Sequence, residues 1–124
     1  MKRLLIITLL VLFAAPVAAD VRVTFAFDYG DSDGLEFRLY QKNDDFDEYP
    51  PSPVSIVYGL SREISVIISE DACYWWVLTA YNPAMVAESP RSNEVVRCKE
   101  GNLITSPFGP DSPIIKAVTV EILP

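Results

Sequence analysis

The stretch that decides the fold class is Tyr74-Trp75-Trp76-Val77-Leu78-Thr79-Ala80-Tyr81-Asn82-Pro83. Its bulky side chains fall into two alternating sets, and the inward set is Tyr74, Trp76, Leu78 and Ala80. Period-two alternation of this kind is typical of a β-strand with one face in a hydrophobic core. The Asn-Pro pair ends the run, because proline cannot donate a ladder hydrogen bond. The segment therefore predicts a long, half-buried strand.

The same alternation extends along the chain on both sides of this segment. Short runs with one apolar face, bounded by Gly, Pro, Asp and Ser, occupy residues 21–28, 35–40, 54–58, 64–68 and 92–98. No amphipathic helix and no alternation of strands with helices is found in this region, which disfavours a parallel sheet. These runs predict an all-β fold, an antiparallel sandwich of two sheets.

Composition excludes several classes of function. The chain has 124 residues, a net charge of −7, 50% hydrophobic residues and no His. The apolar content predicts a packed core, and the acidic charge opposes nucleic-acid binding, which needs cations against phosphates. The sequence also lacks a phosphate-binding glycine loop and a nucleophile motif. We expect no enzyme activity, no catalytic residues, no metal site and no cofactor.

Residues 1–19 are typical of a secretory signal peptide. Lys2 and Arg3 precede an apolar run, Leu4–Ala15, and small residues precede a cleavage position before Asp20. The alternative is a membrane anchor, but the run from Leu4 to Ala19 is shorter than the roughly 20 residues that a spanning helix needs. The sequence thus predicts a secreted, periplasmic or cell-envelope protein with no stable membrane span after cleavage.

Several short motifs follow one another in an order typical of one family. They are Phe25-Ala26-Phe27-Asp28, then Gly34-Leu35-Glu36-Phe37-Arg38-Leu39-Tyr40, then Tyr74-x-Trp76-x-Leu78-x-Ala80-x-Asn82, then Ser92-Asn93-Glu94-Val95. In this order they resemble strands B, C and F and the approach to strand G of fibronectin type III domains. The resemblance implies an immunoglobulin-like sandwich domain over residues 20–98. An unrelated sandwich with the same alternation is the alternative.

The resemblance also assigns structural roles to core residues. Tyr74 would be a corner tyrosine, whose hydroxyl bonds to backbone a few residues upstream. Trp76 would lie at the centre, between the sheets. Phe27 stands where the family usually has Trp. We therefore interpret Trp76, opposite Phe27, as a compensating exchange in which Trp76 supplies the side-chain volume that Phe27 lacks.

The chain departs from the family at both ends of this domain. The family's strand A is missing before residue 21, and residues 99–113, rich in Gly and Pro, are predicted to be a linker. Residues 114–124 then give a strong strand signal. We predict that this C-terminal strand fills the strand A position, since the linker is long enough to cross a small sandwich. The alternatives are exchange between subunits and a stub leading elsewhere, so the prediction is a monomer or a strand-exchanged oligomer.

The two cysteines are predicted to form a disulfide. An even number of Cys in an oxidising compartment usually pairs. If strands F and G form a hairpin around Val86, Cys73 and Cys98 lie at nearly equal distances from its turn and point outward. A bridge closing this loop would stabilise the domain by about 3 kcal/mol.

Three polar segments could each have a function, but each also has a simpler structural interpretation. The acidic turn 28–34 suggests calcium, but it does not fit the helix-loop-helix template, and we favour an acidic turn between strands. Residues 44–48 are interpreted as a solvated acidic loop. Residues 50–53, Pro-Pro-Ser-Pro, are interpreted as a spacer rather than a polyproline ligand.

The candidate binding residues lie on the outward face of the deciding strand and at the tip that follows it. Trp75, Val77 and Tyr81 share that face, and Tyr40 and Val96 are expected beside them. Such a patch indicates a recognition surface, unless loop 42–53 or the linker folds over it. Met85 and Val86, at the predicted loop tip, are a second candidate contact.

These observations together predict a secreted, non-catalytic module for binding or adhesion. The resemblance implies protein–protein or protein–glycan contacts through loops and sheet faces. The alternative is an assembly subunit, an envelope or virus-particle surface component joined through its C-terminal strand. Fold alone does not distinguish these functions.

Overall fold

The computed structural model describes residues 19–30, 34–98, 101–105 and 112–124. These residues form nine strands and no helix, so the predicted all-β class is confirmed. The strands are β1 (Asp20–Asp28), β2 (Glu36–Lys42), β3 (Ser55–Tyr58), β4 (Glu63–Ser69), β5 (Tyr74–Asn82), β6 (Ala87–Glu88), β7 (Val95–Cys98), β8 (Gly101–Ile104) and β9 (Ile114–Ile122).

The strands make two antiparallel sheets. The small sheet has the order β4-β1-β9, and the large sheet has the order β3-β2-β5-β7-β8, with β6 beside β5. Because alternate residues of each strand point inward, the sheets pack face to face as a sandwich. No helix within the described ranges is long and apolar enough to cross a membrane.

The core lies between the inward faces of the two sheets. Trp76 and Phe27 are fully buried there. The Trp76 ring packs edge-on against Phe25, with centroids 5.0 Å apart, whereas Phe27 packs on Phe37 at 4.8 Å. Trp76 was predicted to lie opposite Phe27, and this is corrected: its ring partner on β1 is Phe25, one inward position before Phe27.

Tyr74 closes one end of this core. Its ring stacks on Trp76 at 5.7 Å, and its hydroxyl accepts a hydrogen bond from the Ser69 N–H at 3.3 Å. A buried phenol needs such a partner for its polar end. The bond reaches back five residues along the chain, which is the geometry expected of a corner tyrosine.

β9 pairs antiparallel with β1 along almost its whole length. The register runs from Val21 opposite Ile122 to Asp28 opposite Ile114, with one irregularity at Ala26 and Phe27. The last strand thus pairs within the same chain, on the edge of β1 that the sequence left without a partner. Pairing satisfies backbone groups that an exposed edge would leave open.

Asn93 fastens the beginning of β9 to the large sheet. This side chain is buried, and its amide donates to the carbonyls of Thr105 and Ile115 at 3.0 and 2.9 Å. Its oxygen accepts from the Ile115 N–H at 2.8 Å. One amide therefore satisfies the backbone at the end of β8 and at the start of β9.

The predicted disulfide is present. Cys73 and Cys98 are bonded, and they flank the register pair Tyr74 and Arg97 of β5 and β7. The bridge therefore joins neighbouring strands at one end of the large sheet.

Two strands lie where the sequence predicted none. Residues 99–113 were expected to be a linker, but they contain β8, which pairs with β7. Gly101 begins β8 with φ 146°, a conformation that glycine adopts more readily than other residues because it lacks a Cβ. The other strand, β6, has only two residues, too few for a visible alternation.

Candidate functional site

The outward face of the large sheet brings most of the predicted contact residues together. Tyr40 on β2 lies opposite Val77 on β5, and Lys42 lies opposite Trp75. Tyr81 follows on the same face of β5, opposite Glu36. The sequence therefore identified the right face.

A polar cluster, which we call the Glu88 cluster (Arg38, Tyr40, Thr79 and Glu88), occupies the middle of this face. The hydroxyls of Tyr40 and Thr79 both donate to Glu88 Oε2 at 2.5 Å. Arg38 NH1 lies 3.9 Å from Glu88 Oε1. The carboxylate is thus held in one orientation by three partners on two strands, β2 and β5, because charged hydrogen bonds are short and directional.

Arg38 extends the cluster toward the edge of the sheet. Its guanidinium lies 3.6 Å from the centre of the Tyr81 ring and 3.2 Å from the Glu36 carboxylate. A planar cation over an aromatic face is an attractive arrangement, and it covers the ring from solvent. Tyr81 is therefore half-buried beneath Arg38 rather than freely exposed.

An open cleft of about 400 Å³ lies beside the Glu88 cluster. Its lining combines rings, hydroxyls and one residue of each charge: Tyr40, Pro51, Thr79, Glu88, Ser89, Pro90 and Arg91. Such a lining offers apolar contact from the proline rings and hydrogen bonds from the polar groups. It suits a polar segment of a larger molecule better than an apolar ligand.

Loop 43–54 covers part of the face. The Tyr49 hydroxyl donates to Glu94 Oε2 at 2.6 Å, and its ring lies 4.7 Å from Lys42 Nζ and 5.1 Å from the Arg91 guanidinium. Lys42 is on β2 and Glu94 directly precedes β7, so the Tyr49 side chain crosses over β5. From the sequence, cover by a loop was one of two alternatives for this face, and Tyr49 provides such cover over β5.

Two of the candidate contact residues are buried, which corrects the expectation for them. Val77 is 4% exposed and Tyr40 is 8% exposed, so neither offers an open contact surface. Tyr40 turns its hydroxyl to Glu88 instead of to solvent. Trp75 and Val96 remain half-buried at the end of the face near the disulfide.

Two phenols of this face have altered acidity. Burial raises the pKa of Tyr40, and its hydrogen bond to Glu88 raises it further. Burial likewise raises the pKa of Tyr49, together with the hydrogen bond to Glu94. Both hydroxyls therefore stay protonated near neutral pH and act as donors to carboxylates.

The β5–β6 hairpin carries the other predicted contact, which we call the hairpin tip (Pro83–Val86). The Asn82 side-chain oxygen accepts from the N–H groups of Ala84 and Met85 and so shapes the turn. Met85 is 73% exposed and Val86 is 77% exposed. Val86 has φ 50°, a left-handed conformation that is unfavourable for a β-branched residue.

The hairpin tip leads directly into the cleft. Val86 is followed by β6, whose second residue is Glu88. β6 pairs with β5 only through Tyr81–Glu88 and Asn82–Ala87. An exposed apolar tip and a polar cleft therefore lie on one short hairpin, within two residues of each other.

Four residues of this face were not predicted from the sequence: Arg38, Tyr49, Thr79 and Glu88. Arg38 and Thr79 lie at outward positions beside Tyr40 and Tyr81. The alternation of inward and outward residues along β2 and β5 could have identified them. Glu88 reaches the face only through the two-residue strand β6, and Tyr49 reaches it from an irregular loop. No periodic pattern marks either of them.

The described residues of the other predicted segments supply no clustered ligand set. Asp44 accepts from the Phe46 N–H in an exposed loop, as expected for a solvated turn. In the ranges that the structure covers, no three His, Cys, Asp or Glu residues approach closely enough to hold a metal ion. The acidic positions Asp31 and Asp33, like most of the predicted signal peptide, lie outside the described residues.

Comparison with known proteins gives no relative for this chain. No family model, no curated protein and no solved structure matches it.

Proposed function

We propose that this chain is a secreted, non-catalytic recognition module of the fibronectin type III type. It binds a protein partner through the hairpin tip and the adjoining cleft. The single observation that carries the proposal is the exposed, left-handed Val86 beside Met85 at the end of a short hairpin.

The strand order supports the family resemblance. If β1, β2, β5 and β7 correspond to strands B, C, F and G, then β9 occupies the place of strand A beside β1. The remaining strands, β4 and β3, lie beside β1 and β2 respectively, as two further strands of such a sandwich would. β8 is an addition to this scheme.

The conformation of Val86 supports a binding role for the tip. A β-branched residue in the left-handed region costs about 1–2 kcal/mol, and Gly or Asn would avoid this cost. Val86 recovers nothing by burial, since its side chain is exposed. A strained, exposed apolar residue is best explained by a contact made outside the chain.

The cleft supplies the polar half of the proposed contact. Glu88 is held by Tyr40 and Thr79, and Arg91 lies at the rim beside Tyr49. A partner would place an apolar side chain against Met85, whose flexible thioether adapts to different shapes. A donor group of the partner would reach the fixed Glu88 carboxylate. A glycan is the second candidate ligand, since it would use the cleft and not the tip.

Secretion and the absence of catalysis are parts of the same proposal. The predicted signal over residues 1–19 supports export, and the Cys73–Cys98 bridge is compatible with an oxidising compartment. The lack of His removes the commonest general base. The fixed carboxylate of Glu88 is accordingly proposed as a binding group.

A matched pair of variants tests the tip. Met85→Ser removes the proposed apolar contact, and Phe46→Ser removes another exposed apolar side chain, which lies in the loop between β2 and β3. The immobilised protein is presented to the extracellular proteins of its source cells and to a glycan array. We expect Met85→Ser to lose bound protein by at least tenfold and Phe46→Ser to retain it. Binding unchanged by Met85→Ser would contradict the proposal, and a signal on the glycan array alone would favour the second candidate.

Val86→Gly separates folding from binding. Glycine tolerates the left-handed conformation, so removing the strain should stabilise the fold by about 1 kcal/mol. For a domain of this size, that corresponds to a rise in Tm of about 4–8 °C. Binding should weaken in the same variant because the side chain is lost. A variant that is less stable, or that binds as the wild type does, would contradict this role for Val86.

A further inference from the structure

The outer edge of β9 is unpaired within the part of the chain that the structure describes. β9 pairs only with β1 there. The Leu123 N–H donates to the Asp20 carbonyl at 3.0 Å, and this fixes which residues of β9 bond to β1. Leu123 therefore belongs to a hydrogen-bonded pair. Because hydrogen-bonded and non-hydrogen-bonded pairs alternate in an antiparallel ladder, the backbone N–H and C=O groups of Val118, Val120 and Ile122 point away from β1.

The same residues carry apolar side chains that the sandwich does not cover. Val120 and Ile122 lie opposite Val23 and Val21, which are completely buried on the inward face of β1. Yet Val120 is 36% exposed and Ile122 is 67% exposed. The two sheets therefore leave an open flank beside the second half of β9.

This edge lacks the usual protection against pairing. Natural edge strands are short, bulged, or interrupted by proline or lysine. The edges of the large sheet, β3 and β8, have four residues each, whereas β9 has nine. The irregularity of β9 and its one lysine, Lys116, both lie near its start. The stretch 117–122 remains regular and free to pair.

We infer that β9 pairs antiparallel with β9 of a second copy of this chain. Val120 lies opposite its own symmetry equivalent, and Val118 lies opposite Ile122. A two-fold contact of this kind needs a self-complementary surface, and here each apolar residue meets an apolar residue. The joint merges two three-stranded sheets into one sheet of six strands.

This register brings no like charges directly opposite each other. Glu121 lies opposite Thr119 of the other copy, so no like charges meet directly. The Glu121 carboxylate is already 3.5 Å from Arg22 on the neighbouring strand. The inferred joint uses a different surface from the hairpin tip and does not depend on the proposed recognition function. It also differs from strand exchange, because β9 stays on its own β1.

A proline scan of the two edges of the small sheet tests the inference. Val120→Pro removes one outward N–H, and proline is tolerated where that N–H does not bond within the sheet. Ile67→Pro is the matched control: Ile67 is an exposed residue of β4, at the opposite edge of the same sheet. The Glu70 N–H bonds to the Ala19 carbonyl, so Glu70 belongs to a hydrogen-bonded pair of β4 with β1. Hydrogen-bonded and non-hydrogen-bonded pairs alternate, and Ile67, three residues earlier, therefore also has its N–H pointing away from β1.

The association of the secreted full chain and its variants is measured by sedimentation velocity over a concentration series. We expect the wild type and Ile67→Pro to form dimers as concentration rises, and Val120→Pro to dimerise at least tenfold more weakly. Added NaCl should strengthen dimerisation, because it screens repulsion between two acidic chains. A wild type that remains monomeric, or a Val120→Pro dimer as tight as the wild type, would overturn the inference.

A second pair of variants distinguishes loss of the dimer from misfolding. Ile122→Lys places a charge at the inferred joint, and Ile67→Lys places the same charge at the opposite edge. Thermal unfolding checks that each variant is folded. Loss of dimer in Ile122→Lys alone supports the joint, and equal behaviour of the two lysine variants contradicts it.

Discussion

Tyr49 reaches from its loop across the outward face of the large sheet. Its hydroxyl bonds to Glu94 on one side of β5, and its ring lies between two cations, Lys42 and Arg91. A single loop residue thus contacts groups on both sides of β5. A phenol combines a large apolar ring with one polar end, which is why it can cover a sheet and still bond at its far side.

The raised pKa values of Tyr40 and Tyr49 predict a loss of stability at high pH. Burial and carboxylate partners raise both pKa values in the folded state above the ordinary value near 10. Their stabilising effect is therefore complete below about pH 10 and is lost as the pH rises above it, because the unfolded chain then releases protons that the folded chain retains.

Urea denaturation at a series of pH values measures this effect. The free energy of unfolding of the wild type should fall between about pH 10 and pH 12. The fall should be smaller in the Tyr40→Phe, Tyr49→Phe double variant, which has neither phenol to ionise. An identical fall in both proteins would show that these two tyrosines are not responsible.

At the scale of the elements, the sequence predicted strands well where alternation is long. β1, β2, β4 and β5 each present one apolar face over at least seven residues, and all were found close to the predicted positions. β6 and β8 were missed because two and four residues are too few to show a period. The candidate site was found only in part, since Glu88 and Tyr49 lie on segments without periodicity.

Replacing Asn93 is expected to destabilise β9 more than the other strands. Asn93→Ala would leave the buried N–H and carbonyl of Ile115 without their side-chain partner. Each unsatisfied buried group costs about 1–3 kcal/mol, so we expect a loss of about 2–5 kcal/mol in the free energy of unfolding. The measurement is chemical denaturation combined with hydrogen exchange, in which the amides of β9 should lose protection first.

Asn102→Ala is the control for this prediction. Asn102 is exposed and accepts a hydrogen bond from Arg97, so its loss should cost less than about 0.5 kcal/mol. Equal destabilisation by both variants would mean that Asn93 does not specifically fasten β9.

At the scale of the whole molecule, stability depends on closing both edges of β1. This strand lies at the centre of the small sheet, between β4 and β9, and its inward side chains are completely buried. Without β9, one side of β1 would present unpaired backbone groups next to core residues. Such an edge promotes aggregation.

Removing residues 114–124 should therefore affect the whole fold. We expect the shortened chain to unfold at a temperature at least 10 °C lower than the full chain, or to aggregate on purification. Thermal unfolding and light scattering of the two chains provide the comparison. A shortened chain as stable and soluble as the full one would show that β9 is dispensable for folding.

The pairing of β1 with β9 also has a consequence for biosynthesis. Asp28 and Ile114 are 86 positions apart (114 − 28), and they lie opposite each other in one ladder. At the usual rate of about 5–20 residues per second, the ribosome makes β9 roughly 4–17 s after β1. The nascent chain cannot complete its small sheet during this interval. The native state is reached only after β9 has been synthesised and has paired with β1.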